Sequence, residues 1–115
     1  MHLAIYRKYP KVKAIVHTHS PYATVWSKTR RPFQSKTVEG LIVLGEIPVV
    51  CGAKPGSKEL AEMVVEKLKN KRAVLLENHG SVSVGPSLDE AFNLAETIEE
   101  TTKIEIMATI LTKNL

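Results

Sequence analysis

The sequence predicts an α/β domain, on three observations. Apolar runs of strand length alternate along the chain with segments whose apolar residues recur at helical spacing. Cap residues stand where helical segments begin: Ser20-Pro21, Ser57 and the box Ser87-Leu88-Asp89-Glu90. Pro55-Gly56 and Gly85-Pro86 mark turns between elements. A chain of 115 residues has room for one domain, residues 1–115, with a modest core.

In order, Met1 to Tyr9 has helical spacing, with Leu3, Ile5 and Tyr6 as core candidates. It carries no N-cap and no first turn, so the chain reads as starting inside a helix. Val12 to His19 reads as a strand after Pro10, with Ile15 on the histidine face. Tyr22 to Ser27 is a short helix behind Ser20-Pro21, and the polar, basic stretch Thr29 to Thr37 is a loop. Leu41 to Leu44 and Ile47 to Val50 read as short buried strands broken by Gly45-Glu46, and Gly52 to Gly56 as a turn-rich connection. Ser57 caps a helix from Lys58 to Lys69 with Leu60, Met63, Val64 and Leu68 as its apolar stripe. Ala73 to Leu76 is a strand apolar on both faces, and Ser81 to Val84 a strand leading away from His79-Gly80.

The last helix runs from Leu88 to Leu111, with apolar positions at Leu88, Ala91, Phe92, Ala95, Ile98, Ile104, Met107 and Leu111. At about 1.5 Å per residue it spans ~35 Å and outreaches so small a domain. Part of its apolar length is therefore expected to meet another subunit.

Composition narrows the function. The chain is 43% hydrophobic and 24% charged, as in an ordinary globular protein. Its net charge of +4 is spread over dispersed lysines and arginines. No basic patch with interleaved aromatics is present, which argues against nucleic acid as a partner. No apolar stretch approaches the roughly 20 residues of a membrane span, and no signal peptide is visible. Cys51, the only cysteine, excludes an internal disulfide and favours a cytoplasmic setting; behind Ile47-Pro48-Val49-Val50 it reads as a buried, inert thiol.

The chemistry lies in three of the four histidines. His17 and His19 end an apolar run as His-Thr-His and share one face of a strand. His79 follows a second run in Glu77-Asn78-His79-Gly80. Three imidazoles at neighbouring strand ends can supply the nitrogen ligands of an open zinc site. The plain alternative is three incidental histidines. His2 is a possible further ligand, though packing explains it better. Glu77 reads as a solvated or salt-bridged carboxylate before it reads as an acid-base group; Glu39 and Glu46 are open. Asn78 suits a backbone turn or a ligand contact, and Gly80 a backbone angle other residues resist. Ser57 is explained by capping, although Pro55-Gly56-Ser57 also offers amides to an anion. Tyr22 and Trp26 could line a pocket, but core packing is the simpler reading.

These residues carry a resemblance. Met1-His2-Leu3-Ala4-Ile5-Tyr6, Ala14-Ile15-Val16-His17-Thr18-His19-Ser20, Pro55-Gly56-Ser57-Lys58-Glu59-Leu60-Ala61, Ala73-Val74-Leu75-Leu76-Glu77-Asn78-His79-Gly80 and Gly85-Pro86-Ser87-Leu88-Asp89-Glu90-Ala91 resemble the class II aldolase/adducin family. The chain is most similar to its L-fuculose-1-phosphate aldolase group. The resemblance implies a three-layer α/β/α fold around a mostly antiparallel sheet, and a homo-oligomer, a tetramer in the family. It implies Zn²⁺ held by His17, His19 and His79, and retro-aldol cleavage of a phosphorylated sugar to dihydroxyacetone phosphate and an aldehyde.

The family's catalytic glutamate stands four residues before the position of His2 and falls ahead of Met1. The earlier segment with most phosphate contacts, and a tyrosine lent by a neighbouring subunit, also have no match here. The resemblance thus implies an N-terminally truncated chain, the C-terminal, metal-binding part of the domain, with doubtful activity of its own. The same metal triad also serves a methylthioribulose-1-phosphate dehydratase and a ribulose-phosphate 4-epimerase. A non-catalytic, adducin-like interaction module is the reading from another class.

Overall fold

The structure is a computed structural model that describes residues 1–113. Eleven elements follow one another: α1 (His2–Lys8), β1 (Ala14–Thr18), α2 (Pro21–Ser27), β2 (Phe33–Gln34), α3 (Val38–Val43), β3 (Glu46–Ile47), β4 (Val49–Val50), α4 (Lys58–Lys67), β5 (Ala73–Leu76), β6 (Gly80–Gly85) and α5 (Leu88–Lys113). Four strands form the central sheet in the order β1-β6-β5-β4. The β1–β6 and β6–β5 pairings are antiparallel, and β5–β4 is parallel. The sheet is therefore mostly antiparallel.

Period-two alternation divides its side chains between two apolar layers. Val50, Val74, Leu76, Val82 and Val84 face Ile5 of α1 and Leu60, Val64 and Leu68 on and beside α4. Val49, Ala73 and Leu75 face Ala23 of α2, and Leu94 and Ile98 of α5. Helices cover both faces, giving the three-layer α/β/α arrangement. Ala73 to Leu76 is buried along its whole length, as a strand apolar on both faces requires.

The caps act as their residue types dictate. The Ser57 hydroxyl accepts from Leu60 N at 3.0 Å, and the Ser87 hydroxyl accepts from Glu90 N at 3.2 Å.

Four local readings are corrected. Leu41 to Leu44 is not a strand; its first three residues lie in α3, whose N-cap Thr37 accepts from Gly40 N at 3.0 Å. A four-residue apolar run carries too little periodicity to separate strand from helix, and the Thr37 cap decides it. Ile47 to Val50 is divided at Pro48, which lacks an N–H, so that Ile47 pairs with Phe33 of β2 and Val49 with Leu75 of β5. The Thr29–Thr37 loop contains β2 and places Phe33 fully in the core. In α1, Leu3 is 66% exposed and Tyr6 is exposed too, while Ile5 is buried. Ile5 is flanked on the same side by the cap residues Met1 and Tyr9, each four positions away and partly buried against the same layer.

Helix α5 buries Ala91, Leu94, Ala95, Ile98, Thr101 and Thr102. Leu88, Phe92, Ile104, Met107, Ile110 and Leu111 are exposed along it. Among the described residues no helix is long and apolar enough to cross a membrane.

Candidate metal centre

The site forms where β1 ends and β6 begins. Antiparallel pairing sets Thr18 opposite Ser81, and β5 turns into β6 through Glu77, Asn78 and His79. Asn78 takes φ 59°, the left-handed conformation that asparagine tolerates, and His79 N donates to Leu76 O at 3.0 Å to close this turn. Gly80 follows because nothing larger fits. A Cβ there would lie 1.9 Å from the Thr18 carbonyl oxygen, and its φ of 154° is one that side chains rarely adopt. The tight contact sets His79 against the end of β1.

The three predicted imidazoles meet. One ring nitrogen of each of His17, His19 and His79 lies within 4.8 Å of the others. Ring centroids are 5.0 Å apart for His17–His19, 4.9 Å for His17–His79 and 4.6 Å for His19–His79. His17 Nδ1 lies 2.9 Å from the Ser81 carbonyl oxygen. A carbonyl only accepts, so Nδ1 donates, which leaves Nε2 as the ring nitrogen a metal would take. The Nε2 atoms of His19 and His79 are 3.0 Å apart. Two imidazole lone pairs at that distance repel unless a proton or a cation lies between them. Nitrogen ligands on one tetrahedral ion are separated by about 3.3 Å. That pair is near this spacing, and three imidazole nitrogens are the donor chemistry a small divalent cation takes. His17 and His79 are half-buried and His19 is exposed, which leaves the group open on one side.

Charges nearby are largely paired. Burial, with the neighbouring His17 and His19, holds the His79 pKa below its ordinary 6.5 and favours the neutral form a ligand needs. Glu77 forms an ion pair with Arg30 and accepts from Gly52 N at 3.2 Å. Its hydrogen bond from Arg30 lowers the carboxyl pKa against the opposing effect of desolvation, and the Arg30 pKa is raised in turn. The salt-bridged reading of Glu77 holds. Lys28 Nζ donates to Asn78 Oδ1 at 2.8 Å.

The other singled-out residues are not members of this group. His2 is exposed on α1 and outside the triad; burial first, then His17 and the N-terminal amine, lower its pKa. Glu39 is in the first turn of α3, and Glu46 lies 3.8 Å from Lys71. Trp26 packs edge-on against Phe33 with centroids 5.0 Å apart, and Tyr22 lies beneath Lys103. Cys51 is half-buried and free.

Two contacts had no legible signal in the sequence. Glu99 of α5 accepts from Tyr22 N and Ala23 N at 3.0 and 2.9 Å, and the buried Ser27 hydroxyl accepts from Asn78 N at 3.0 Å. Both join residues more than fifty positions apart, beyond the reach of any local pattern.

Comparison with known proteins gives the family and the fold. Residues 1–106 match the family described as the class II aldolase and adducin N-terminal domain. The chain is 40% identical to the 3-oxo-tetronate 4-phosphate decarboxylase of Escherichia coli K12, over 90% of this chain and 51% of the relative. It is 40% identical to the L-fuculose phosphate aldolase of Methanococcus vannielii, over 90% of this chain and 56% of the relative. The chain thus spans about half the length of the curated relatives it matches. The crystal structure of L-fuculose-1-phosphate aldolase from Thermus thermophilus superposes with a TM-score of 0.92 at 30% identity, covering 97% of this chain and 60% of that one. Fold, motifs and family match lead to one conclusion: the chain belongs to the class II aldolase/adducin family.

Proposed function

We propose that His17, His19 and His79 hold a zinc ion, and that the chain is the C-terminal, metal-binding part of a sugar-phosphate aldolase domain. The reaction is retro-aldol cleavage of an L-fuculose 1-phosphate-like substrate to dihydroxyacetone phosphate and an aldehyde, a lyase step of carbohydrate metabolism. One observation carries the reading: three imidazole nitrogens converge within 4.8 Å at one end of the sheet. Three neutral nitrogen donors with an open side suit zinc in a catalytic setting. When bound, such an ion supplies Lewis acidity, drawing electrons from a carbonyl beside the bond that breaks.

The chain's own residues hold and orient. The Ser81 carbonyl fixes the His17 tautomer, and the Asn78–Gly80 turn holds His79 against His19. Lys28, exposed beside Asn78, adds positive charge at the rim, which suits a phosphorylated substrate. Cleavage also needs a group to take the proton from the hydroxyl on the departing fragment and to return one to the carbon left behind. The two carboxylates on the flanking elements are already engaged: Glu77 with Arg30 and Gly52, Glu99 with the amides of Tyr22 and Ala23. We assign proton transfer to the glutamate that the family carries ahead of the position of His2.

The 115 residues alone are therefore expected to bind zinc and to cleave sugar phosphates poorly or not at all. Release of dihydroxyacetone phosphate from L-fuculose 1-phosphate, followed on the zinc-loaded chain, checks this. Turnover at the rate of the longer aldolases contradicts the assignment of the proton-transfer group. A protein that takes up no zinc favours the adducin-like interaction module instead.

A second reading, decarboxylation of a phosphorylated 3-oxo acid, is supported by the relative of that name at the same 40% identity as the aldolase. Both reactions break a C–C bond and leave negative charge beside a carbonyl, so one centre suits either. Carbon dioxide release from 3-oxo-tetronate 4-phosphate separates them. A cytoplasmic setting and a homo-oligomer assembled through the exposed apolar side chains of α5 complete the proposal.

A further inference from the structure

Helix α2 joins two of the three histidines. It begins two residues after His19, and its far end packs against the turn that carries His79. Seven residues at about 1.5 Å each make it a strut of roughly 10 Å.

The near end is fastened from outside. Ser20, the N-cap, makes no side-chain capping bond, and Pro21 has no N–H to offer. The next two amides, Tyr22 and Ala23, both donate to the Glu99 carboxylate on α5, at 3.0 and 2.9 Å. A residue 76 positions away in sequence thus does the work of the cap. Thr24 N and Oγ1 donate to Ser20 O at 3.0 and 2.7 Å, which ties that end of the helix to the residue after His19.

The far end is fastened by Ser27, which has no exposed surface. Its hydroxyl donates to Thr24 O at 2.6 Å and accepts from Asn78 N at 3.0 Å. Asn78 is the left-handed residue immediately before His79, so this bond sets the height of the turn.

We infer that Glu99 and Ser27 are positioning residues for the metal centre, clamping the two ends of α2 so that it fixes the separation of His19 from His79. The inference rests on the zinc-binding reading of the triad. His17 is held separately, by its own strand and the Ser81 carbonyl. Loosening either clamp lets one imidazole drift relative to the other two while the sheet stays paired. Partners that orient metal ligands typically contribute roughly 10- to 100-fold in affinity.

Cobalt(II) tests this, because its visible absorption reports ligand geometry. Wild type, Glu99→Ala, Glu99→Gln and Ser27→Ala are titrated with cobalt against a competing chelator, well below the melting temperature of each. Wild type is expected to bind one ion per chain. Glu99→Ala and Ser27→Ala are expected to bind about 10- to 100-fold more weakly, with altered visible bands at saturation. Glu99→Gln is expected to fall between, since its amide oxygen can still accept one of the two bonds. If Glu99→Ala fails to fold, the other two variants carry the test.

Affinities within twofold of wild type and superimposable saturated spectra overturn the inference, even where melting temperature falls. Both contacts then serve the fold alone. Wild type that binds no cobalt removes the metal reading and this inference together.

Discussion

Gly80 shows how far one side chain decides the site. Its missing Cβ lets β6 start within contact of the Thr18 carbonyl, where a methyl group would lie 1.9 Å away. Gly80→Ala is expected to cost roughly 2–3 kcal/mol, seen in chemical denaturation, and to abolish high-affinity metal uptake. Ser83 carries the opposite sign. Its hydroxyl is buried and has no hydrogen-bond partner among the described residues. Ser83→Ala is expected to leave the protein as stable or up to ~1 kcal/mol more stable; a loss above that contradicts the unpartnered reading. At this scale the histidines were legible because their spacing reports geometry directly: period two puts His17 and His19 on one face, and His79 ends the adjoining chain run. Glu99 and Ser27 were not legible, since their partners are set by packing between helix and turn.

Elements were legible where a cap or a full helical stripe announced them. The Ser57 cap opens α4 as its sequence predicts, and Leu60, Val64 and Leu68 point inward. Ser57→Ala is expected to lower stability by about 1 kcal/mol, measured as a shift in denaturation midpoint. Short apolar segments were less readable. The run Leu41 to Leu44 is compatible with strand or helix by pattern alone, and Thr37, three residues before Gly40, was the signal that separates them. A single aromatic in a basic, polar stretch has the pattern of surface, yet Phe33 is fully buried against Trp26. The last helix, α5, starts at Leu88, where the Ser87 box marks its beginning. Its outer apolar residues, including Phe92, Met107 and Ile110, lie exposed.

Over the whole molecule, two apolar layers grip one sheet, and the sheet ends gather the chemistry. Strand order β1-β6-β5-β4 brings residues 17, 19 and 79 together although sixty positions separate the last two. The individual strands were visible in the sequence, but their order was not, because pairing depends on burial shared between distant segments. Family resemblance supplied the architecture that local pattern could not. Metal binding to the folded state alone adds stability by mass action, about 2.7 kcal/mol at a hundred times the dissociation constant. A chelator is expected to remove that increment reversibly.

Zinc content tests the central claim with least ambiguity. Purified protein, dialysed against trace zinc and then measured for bound metal and melting temperature, is expected to hold one zinc per chain and to melt higher than its chelator-treated form. His17→Ala, His19→Ala and His79→Ala are each expected to lose both the metal and the increment while keeping the far-ultraviolet circular dichroism of wild type. Wild type with no bound zinc, or three variants that all retain it, contradicts the account.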